Sequence, residues 1–228
     1  MVFNSFAQAE RKLPIYCVDT PEKKVAISFD AAWGADDTDE LLRILKENDV
    51  KTTFFMCGYW VDKYPEEVKK IAADGHDLGN HSATHPHMSQ LSKEQIKKEL
   101  MDAHEKVKNL TGYEMDLFRP PFGEYDNKVI EAAEETGYYT VQWDVDSLDW
   151  KELGTEHELS QVLNHKHLGN GSIILFHNDA KYTPKVLDSI IKGLKEKGYE
   201  IVPISSLIHR DNYYMDHEGR QKLNDATA

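Results

Sequence analysis

KVAISFDAAWGADDTDELLRILKENDVKTTFFMC, residues 24–57, reads as strand, helix, strand. Lys24–Asp30 (KVAISFD) is a short apolar run with β-branched and aromatic side chains, the signature of a buried strand. Asp36–Asn48 sets Leu41, Leu42 and Leu45 at helical spacing behind Asp and Thr residues that can cap its start. Lys51–Cys57 (KTTFFMC) is a second apolar strand. Two strands joined through a helix form a parallel βαβ unit, because parallel neighbours need a long crossover.

The alternation continues to Ile208. Pro65–Ala73 is a helix stopped by Gly75, and Ser92–Leu110 is a long helix with Ile96, Leu100, Ala103, Val107 and Leu110 on one face, ended by Thr111-Gly112. Asp126–Thr136 is a helix with Gly137 just beyond it, and Tyr138–Trp143 is a strand. Ser172–His177 (SIILFH) is a very apolar strand, Pro184–Lys197 a helix buried through Val186, Leu187, Ile190, Ile191 and Leu194, and Tyr199–Ile204 the last strand. About seven such units in roughly 200 residues predict an α/β fold of the distorted (β/α)7-barrel type, with chemistry at the C-terminal strand ends. The expected organisation is an N-terminal extension over 1–21, one barrel domain over 22–208, and a polar, loosely ordered tail over 209–228.

The 228 residues carry 27 basic and 40 acidic side chains, a net charge of −13. A general nucleic-acid binder needs a basic face, so that class is excluded, and an anionic membrane surface is disfavoured. No apolar run approaches the roughly 20 residues of a membrane span. Met1–Thr20 holds charges and Pro14 and lacks the apolar stretch of a signal peptide, so the chain is either cytoplasmic as written or exported through a segment absent from this sequence. Cys17 and Cys57 do not make a disulfide framework, and Cys57, inside an apolar run, reads as a small buried hydrophobe rather than a ligand or nucleophile.

Four strand ends carry polar groups that a core would reject: Asp30, the run Gly79–His85, the run Phe118–Gly123, and His177. His81 and His85 are four apart. On a helical turn they share one face and could hold a divalent ion, although such a pair also falls on surface helices by chance. His87 reads as a loop or supporting histidine, and His104 as a surface or boundary residue. Asp30 is either a turn cap or, beside a metal, a general base. His177 is either a satisfied boundary histidine or a general acid. Arg119, stiffened by Pro120-Pro121, suits clamping Asp30 or Asp149. Trp33, Trp143, Trp150, Tyr125 and Phe122 supply aromatic faces for core packing or for sugar rings.

Together these residues resemble the polysaccharide deacetylases with a NodB-homology domain, carbohydrate esterase family 4. The likeness runs over roughly residues 22–207 in five ordered motifs: Ser28-Phe29-Asp30, His81–His85, Arg119–Gly123, Ser147-Leu148-Asp149-Trp150, and Ile174–His177. The resemblance implies a metal-dependent hydrolase that removes N-acetyl groups from an N-acetylglucosamine-type polysaccharide such as peptidoglycan. It implies a divalent metal, usually Zn2+, on His81 and His85, with Asp30 as base and His177 as acid. Arg119 and Asp149 tune that pair, Phe122 offers a backbone N–H to the oxyanion, Leu175 lines the acetyl pocket, and Trp150 lies at the substrate.

One position departs from the family pattern, which has a second, metal-binding aspartate where Ala31 stands here. The resemblance leaves Asp36, Asp37 or Asp30 as a third ligand, or water in its place. This variant of the first motif is similar to the sporulation-associated branch of the family. The alternative to an active enzyme is a glycan-binding barrel with weak or lost catalysis. A third possibility is a hydrolase of small amides. The implied location is secreted, in the cell envelope or on the spore of a bacterium, with a monomer and a glycan as the expected state and partner.

Overall fold

The computed structural model describes residues 10–224; residues 1–9 of the expected extension and 225–228 of the expected tail lie outside the described residues. In chain order the elements are β1 (Cys17–Val18), β2 (Lys24–Ala31), α1 (Thr38–Glu47), β3 (Thr53–Met56), α2 (Gly58–Lys63), α3 (Pro65–Ala73) and β4 (Asp77–Asn80). Then come α4 (Lys93–Thr111), β5 (Leu117–Phe118), α5 (Asn127–Glu135), β6 (Tyr139–Thr140), β7 (Val145–Asp146) and α6 (Thr155–Leu163). β8 (Ile173–His177), α7 (Thr183–Glu196), β9 (Glu200–Ile201), α8 (Ile204–Leu207), β10 (Tyr213–Met215) and β11 (Arg220–Leu223) complete it.

The main sheet has the order β6-β5-β4-β3-β2-β8-β7, with β9 on the first residues of β2, and its pairings are parallel. Its edge strands β6 and β7 do not pair with each other among the described residues, so the expected barrel is a curled half-barrel. β2 is the centre. Its register sets Asp30 opposite Phe55 of β3 and opposite His177 of β8, which puts two motif residues side by side at the same strand ends.

The helices that the apolar spacing predicts are present within a residue or two. Leu41, Leu42 and Leu45 are buried under α1, each burial contributing about 1.5–3 kcal/mol. Ser92 caps α4 through a reciprocal box with Gln95, and Gly112, at φ 75°, ends it. Beneath them Phe29, Phe54 and Phe176 pack from β2, β3 and β8 with ring centroids 4.9 and 5.7 Å apart.

The strand expected over Tyr138–Trp143 is shorter. After β6 the Asp144 carboxylate accepts the Ile173 N–H at 2.8 Å and the Ser172 hydroxyl at 3.0 Å, replacing ladder bonds with side-chain bonds. The tail is also more ordered than its polarity suggests: β10 and β11 form a hairpin, and β1 pairs parallel to β11. The segment leading into β1 bridges the gap beside β6. Ile15 pairs with Val141, and Cys17 pairs with Ser172 just before β8.

At this seam Gly171 has φ +80°, and a Cβ there would lie 1.8 Å from the Val18 carbonyl oxygen. Backbone cannot yield as a side-chain tip can. Gly171→Ala is therefore expected to cost at least about 2 kcal/mol, or about 4–8 °C in Tm for a chain of this length, read by thermal unfolding. An unchanged Tm would mean the seam is not part of the cooperative fold.

Candidate active site

The sheet's C-terminal edge opens into a cavity of about 510 Å³ lined by Asp30, His81, His85, Leu175 and His177, with Trp33, Phe122 and Trp150 among its walls. The five motifs therefore converge on one place. They come from β2, the loop after β4, the turn after β5, the turn after β7, and β8.

Asp30 is 7% exposed, and its Oδ1 accepts from Arg119 Nη1 at 2.9 Å. Burial pushes its carboxyl up, but the Arg119 charge and hydrogen bond, with the His177 charge, outweigh that and hold it below the usual carboxylate range. Of the two carboxylates proposed as its partner, Arg119 thus takes Asp30. The guanidinium is fully buried, with the Phe55 ring centroid at 4.2 Å and the Trp143 centroid at 5.4 Å, and its Nη2 donates to the Gln142 carbonyl at 3.0 Å. Its planar fork is thereby fixed by aromatic contact and by one hydrogen bond from each terminal nitrogen.

His81 and His85 do not lie on a helical turn, as their spacing suggested. They sit in a loop in which Ser82 has φ 70° and His85 φ 57°. The loop is held on two sides. Asn80 Oδ1 accepts the Ser82 N–H at 2.9 Å, and Glu99 of α4 accepts the N–H groups of Ala83 and Thr84 at 2.9 and 2.8 Å. From the other side Gly58 and Tyr59, which open α2, donate to the carbonyls of Ser82 and Ala83 at 2.9 and 3.1 Å. The left-handed residues bring the two rings to 5.0 Å between centroids, so the pair converges by a route other than helical periodicity.

His81 Nδ1 donates to the Arg119 carbonyl at 2.7 Å, which leaves Nε2 as the free donor atom, 3.6 Å from Asp30 Oδ2. Burial lowers the pKa of His81, and burial with the neighbouring His81 takes His85 down to about 4, so both rings are neutral and able to ligate. Donor atoms of Cys57, His81 and His85 all lie within 4.8 Å of one another, a nitrogen and sulfur set that fits a zinc-like divalent ion. Neither Asp36 nor Asp37 belongs to this group. His87 stacks on Phe122 with centroids 4.4 Å apart and contacts Glu124, consistent with a supporting role.

His177 Nδ1 donates to Asp149 Oδ1 at 2.8 Å, and its backbone N–H donates to Asp149 Oδ2 at 2.7 Å. Burial alone would lower the His177 pKa. The Asp149 hydrogen bond and charge, with Asp30 and Asp146, reverse that and raise it to about 9. The ring is therefore protonated near neutral pH, with Nε2 as its free nitrogen.

Behind Asp149 lies a pair that sequence reasoning missed. Thr183 Oγ1 is 3.1 Å from Asp149 Oδ2 and 2.8 Å from Glu158 Oε1. One hydroxyl proton cannot serve two carboxylates. Burial, with the Asp149 charge, raises Glu158 to about 7 against the Thr183 hydrogen bond, so in its protonated form Glu158 supplies the second proton and lets Thr183 donate to Asp149. Glu158 is on α6, a helix whose weak apolar spacing hid it, and a buried Glu within a polar stretch left no signal.

A raised carboxyl means that the folded protein loses stability as pH rises from 4.5 through about 7. Glu158→Gln keeps the donor and removes the charge. It is expected to match the parent near pH 4.5 and exceed it by up to about 3 kcal/mol above pH 8, read by urea unfolding at both pH values. Equal stability at both would mean that Glu158 is ionised without cost.

The chain belongs to the polysaccharide deacetylase family, whose sequence model matches residues 18–141. It is 33% identical over 198 residues to a peptidoglycan-N-acetylglucosamine deacetylase of Bacillus cereus, covering 84% of this chain and 71% of that protein. To a peptidoglycan-N-acetylmuramic acid deacetylase of Bacillus subtilis it is 32% identical over 197 residues, covering 85% and 74%. A solved structure from Bacillus anthracis, described as a pseudoenzyme of carbohydrate esterase family 4, superposes with a TM-score of 0.82 at 32% identity, covering 93% of this chain and 70% of that one. No described helix is long and apolar enough to cross a membrane.

Proposed function

We propose that this protein removes N-acetyl groups from a cell-wall glycan of the N-acetylglucosamine type by metal-assisted hydrolysis. The observation that carries this reading is the pairing of two groups that face one cavity: Asp30 held by Arg119 at 2.9 Å and His177 held by Asp149 at 2.8 Å, beside two converging histidines, with Asp30 shifted down and His177 shifted up. Water must lose a proton and the departing amine must gain one, and the pair meets both needs at the same pH.

His81 and His85 would hold the ion, which when bound supplies the Lewis acid that polarises the acetamide carbonyl and acidifies water. Asp30, held by Arg119, accepts the proton from the attacking water. The Phe122 N–H is the donor assigned to the oxyanion; the residue sits in a left-handed turn, φ 60°, on the cavity wall. His177 gives its proton from Nε2 to the leaving amine while Asp149 steadies the ring. Leu175, 2% exposed, closes the floor and suits the acetyl methyl. Trp33, Phe122 and Trp150 remain 56%, 54% and 57% exposed around the mouth, and exposed rings of this kind at a cavity favour a sugar face over a packing role. Such a substrate would place the protein at the cell envelope.

A second reading is favoured by Ala31 and by the likeness to the Bacillus anthracis pseudoenzyme: a half-barrel that binds glycan and turns it over poorly. Acetate release from N-acetylglucosamine oligomers of increasing length, with divalent metal supplied, separates the two. Release that improves with length supports the deacetylase, whereas oligomer binding without acetate supports the second reading.

A further inference from the structure

We infer that Cys57 is a third metal ligand, standing in for the carboxylate that Ala31 lacks and making a His2Cys site. The inference rests on the proposed metal site and deepens it. β2 and β3 are neighbours in register, Ala31 opposite Met56, and the Cys57 N–H donates to the Ala31 carbonyl at 3.0 Å. The residue one step beyond β3 therefore sits beside the strand end where position 31 offers only a methyl group.

Its side chain turns to the histidine loop. Sγ donates to the His81 carbonyl at 3.3 Å, and Sγ lies within 4.8 Å of donor atoms of both His81 and His85. Among the described residues this is the one group of three such donors that converge closely enough to hold an ion. The His81 tautomer is already set for ligation by its bond to the Arg119 carbonyl. Asp30 remains engaged with Arg119, so a sulfur ligand leaves the carboxylate free for proton transfer.

On binding, the S–H bond breaks, the proton leaves to solvent, and the sulfur pair forms the bond to the ion. Thiolate is a soft donor. The site should therefore select Zn2+ or Co2+ over Mg2+ or Ca2+, which prefer oxygen. Cys57 is fully buried, as its apolar surroundings predicted, yet it is a ligand as well as a small core residue.

The test is to strip the purified protein with chelator, titrate it with Co2+, and record the near-ultraviolet spectrum. A sulfur-to-cobalt charge-transfer band saturating at one ion per chain is expected. In Cys57→Ser the band should vanish, and Zn2+ affinity should fall by more than the roughly 10- to 100-fold that outer-shell partners cost. The spectrum of the parent protein decides the matter even if that variant folds poorly. Cobalt bound with no charge-transfer band overturns the sulfur ligand while leaving the histidine site intact. No cobalt uptake at all overturns both this inference and the metal-dependent reading beneath it.

Discussion

Asp30→Asn lowers acetate release by about 10²–10⁴-fold, the range in which a positioned general base contributes. The amide keeps the size of the carboxylate and cannot accept a proton at any accessible pH. The same change leaves the Arg119 guanidinium, fully buried, without its counter-charge. Breaking a buried pair by removing one partner costs about 3–5 kcal/mol in other proteins, so a fall in stability is expected as well. The two effects are separable. Rates are measured at a temperature where circular dichroism shows the variant folded, and the metal titration is repeated, since His81 and His85 retain their ring positions. Undiminished acetate release from a folded Asp30→Asn protein would remove Asp30 from the chemistry.

Asp149→Asn acts on the other half of the proton inventory. In the parent protein the active form needs Asp30 ionised and His177 protonated. Activity should therefore rise as pH climbs through the depressed Asp30 range and decline as pH passes about 9, where His177 loses its proton. Without the Asp149 charge, the burial that lowers His177 is no longer outweighed, and the alkaline limb should move down toward or below the ordinary histidine value of 6.5. The amide also presents the wrong hydrogen-bonding pattern to Nδ1. An equivalent Asp-to-Asn change behind the histidine of a serine-protease triad costs about 10⁴ in kcat. A loss of about 10²-fold or more near pH 8 is expected, with a smaller loss toward pH 6. A rate profile displaced uniformly at every pH, with its alkaline limb unmoved, would show that Asp149 does not set the His177 proton. For stability the sign is the same: the His177 contribution is present below 6.5 and is lost as pH rises through about 9.

Much of this site is legible in residue order. Asp30 and His177 end the two most apolar strand runs, and strands that cannot tolerate a charge in their middle must release it at an end. Arg119 before two prolines announces a fixed guanidinium, and the structure engages it with Asp30. The helices with strong apolar faces, α1, α3, α4, α5 and α7, lie where their spacing puts them. What escaped were elements with little local signal. α2 is six residues long, too short for a period to show, and β5 and β7 are two residues each. The β10–β11 hairpin is polar and takes its order from pairing with β1, a contact across nearly the whole chain.

Local patterning thus settled the parallel α/β class and named the polar strand ends, because burial periodicity and turn chemistry act over a few neighbouring residues. The convergence of His81 and His85 through left-handed loop residues, the choice of Asp30 over Asp149 by Arg119, the chain from Glu158 through Thr183 to Asp149, and the approach of Cys57 to the histidine pair arise only when the strands stand in register. The histidine loop is held by Glu99, Gly58 and Tyr59, and the other three join groups separated by many residues; the free energies involved, those of desolvation, ion pairing and hydrogen bonding, depend on distances that no local segment contains.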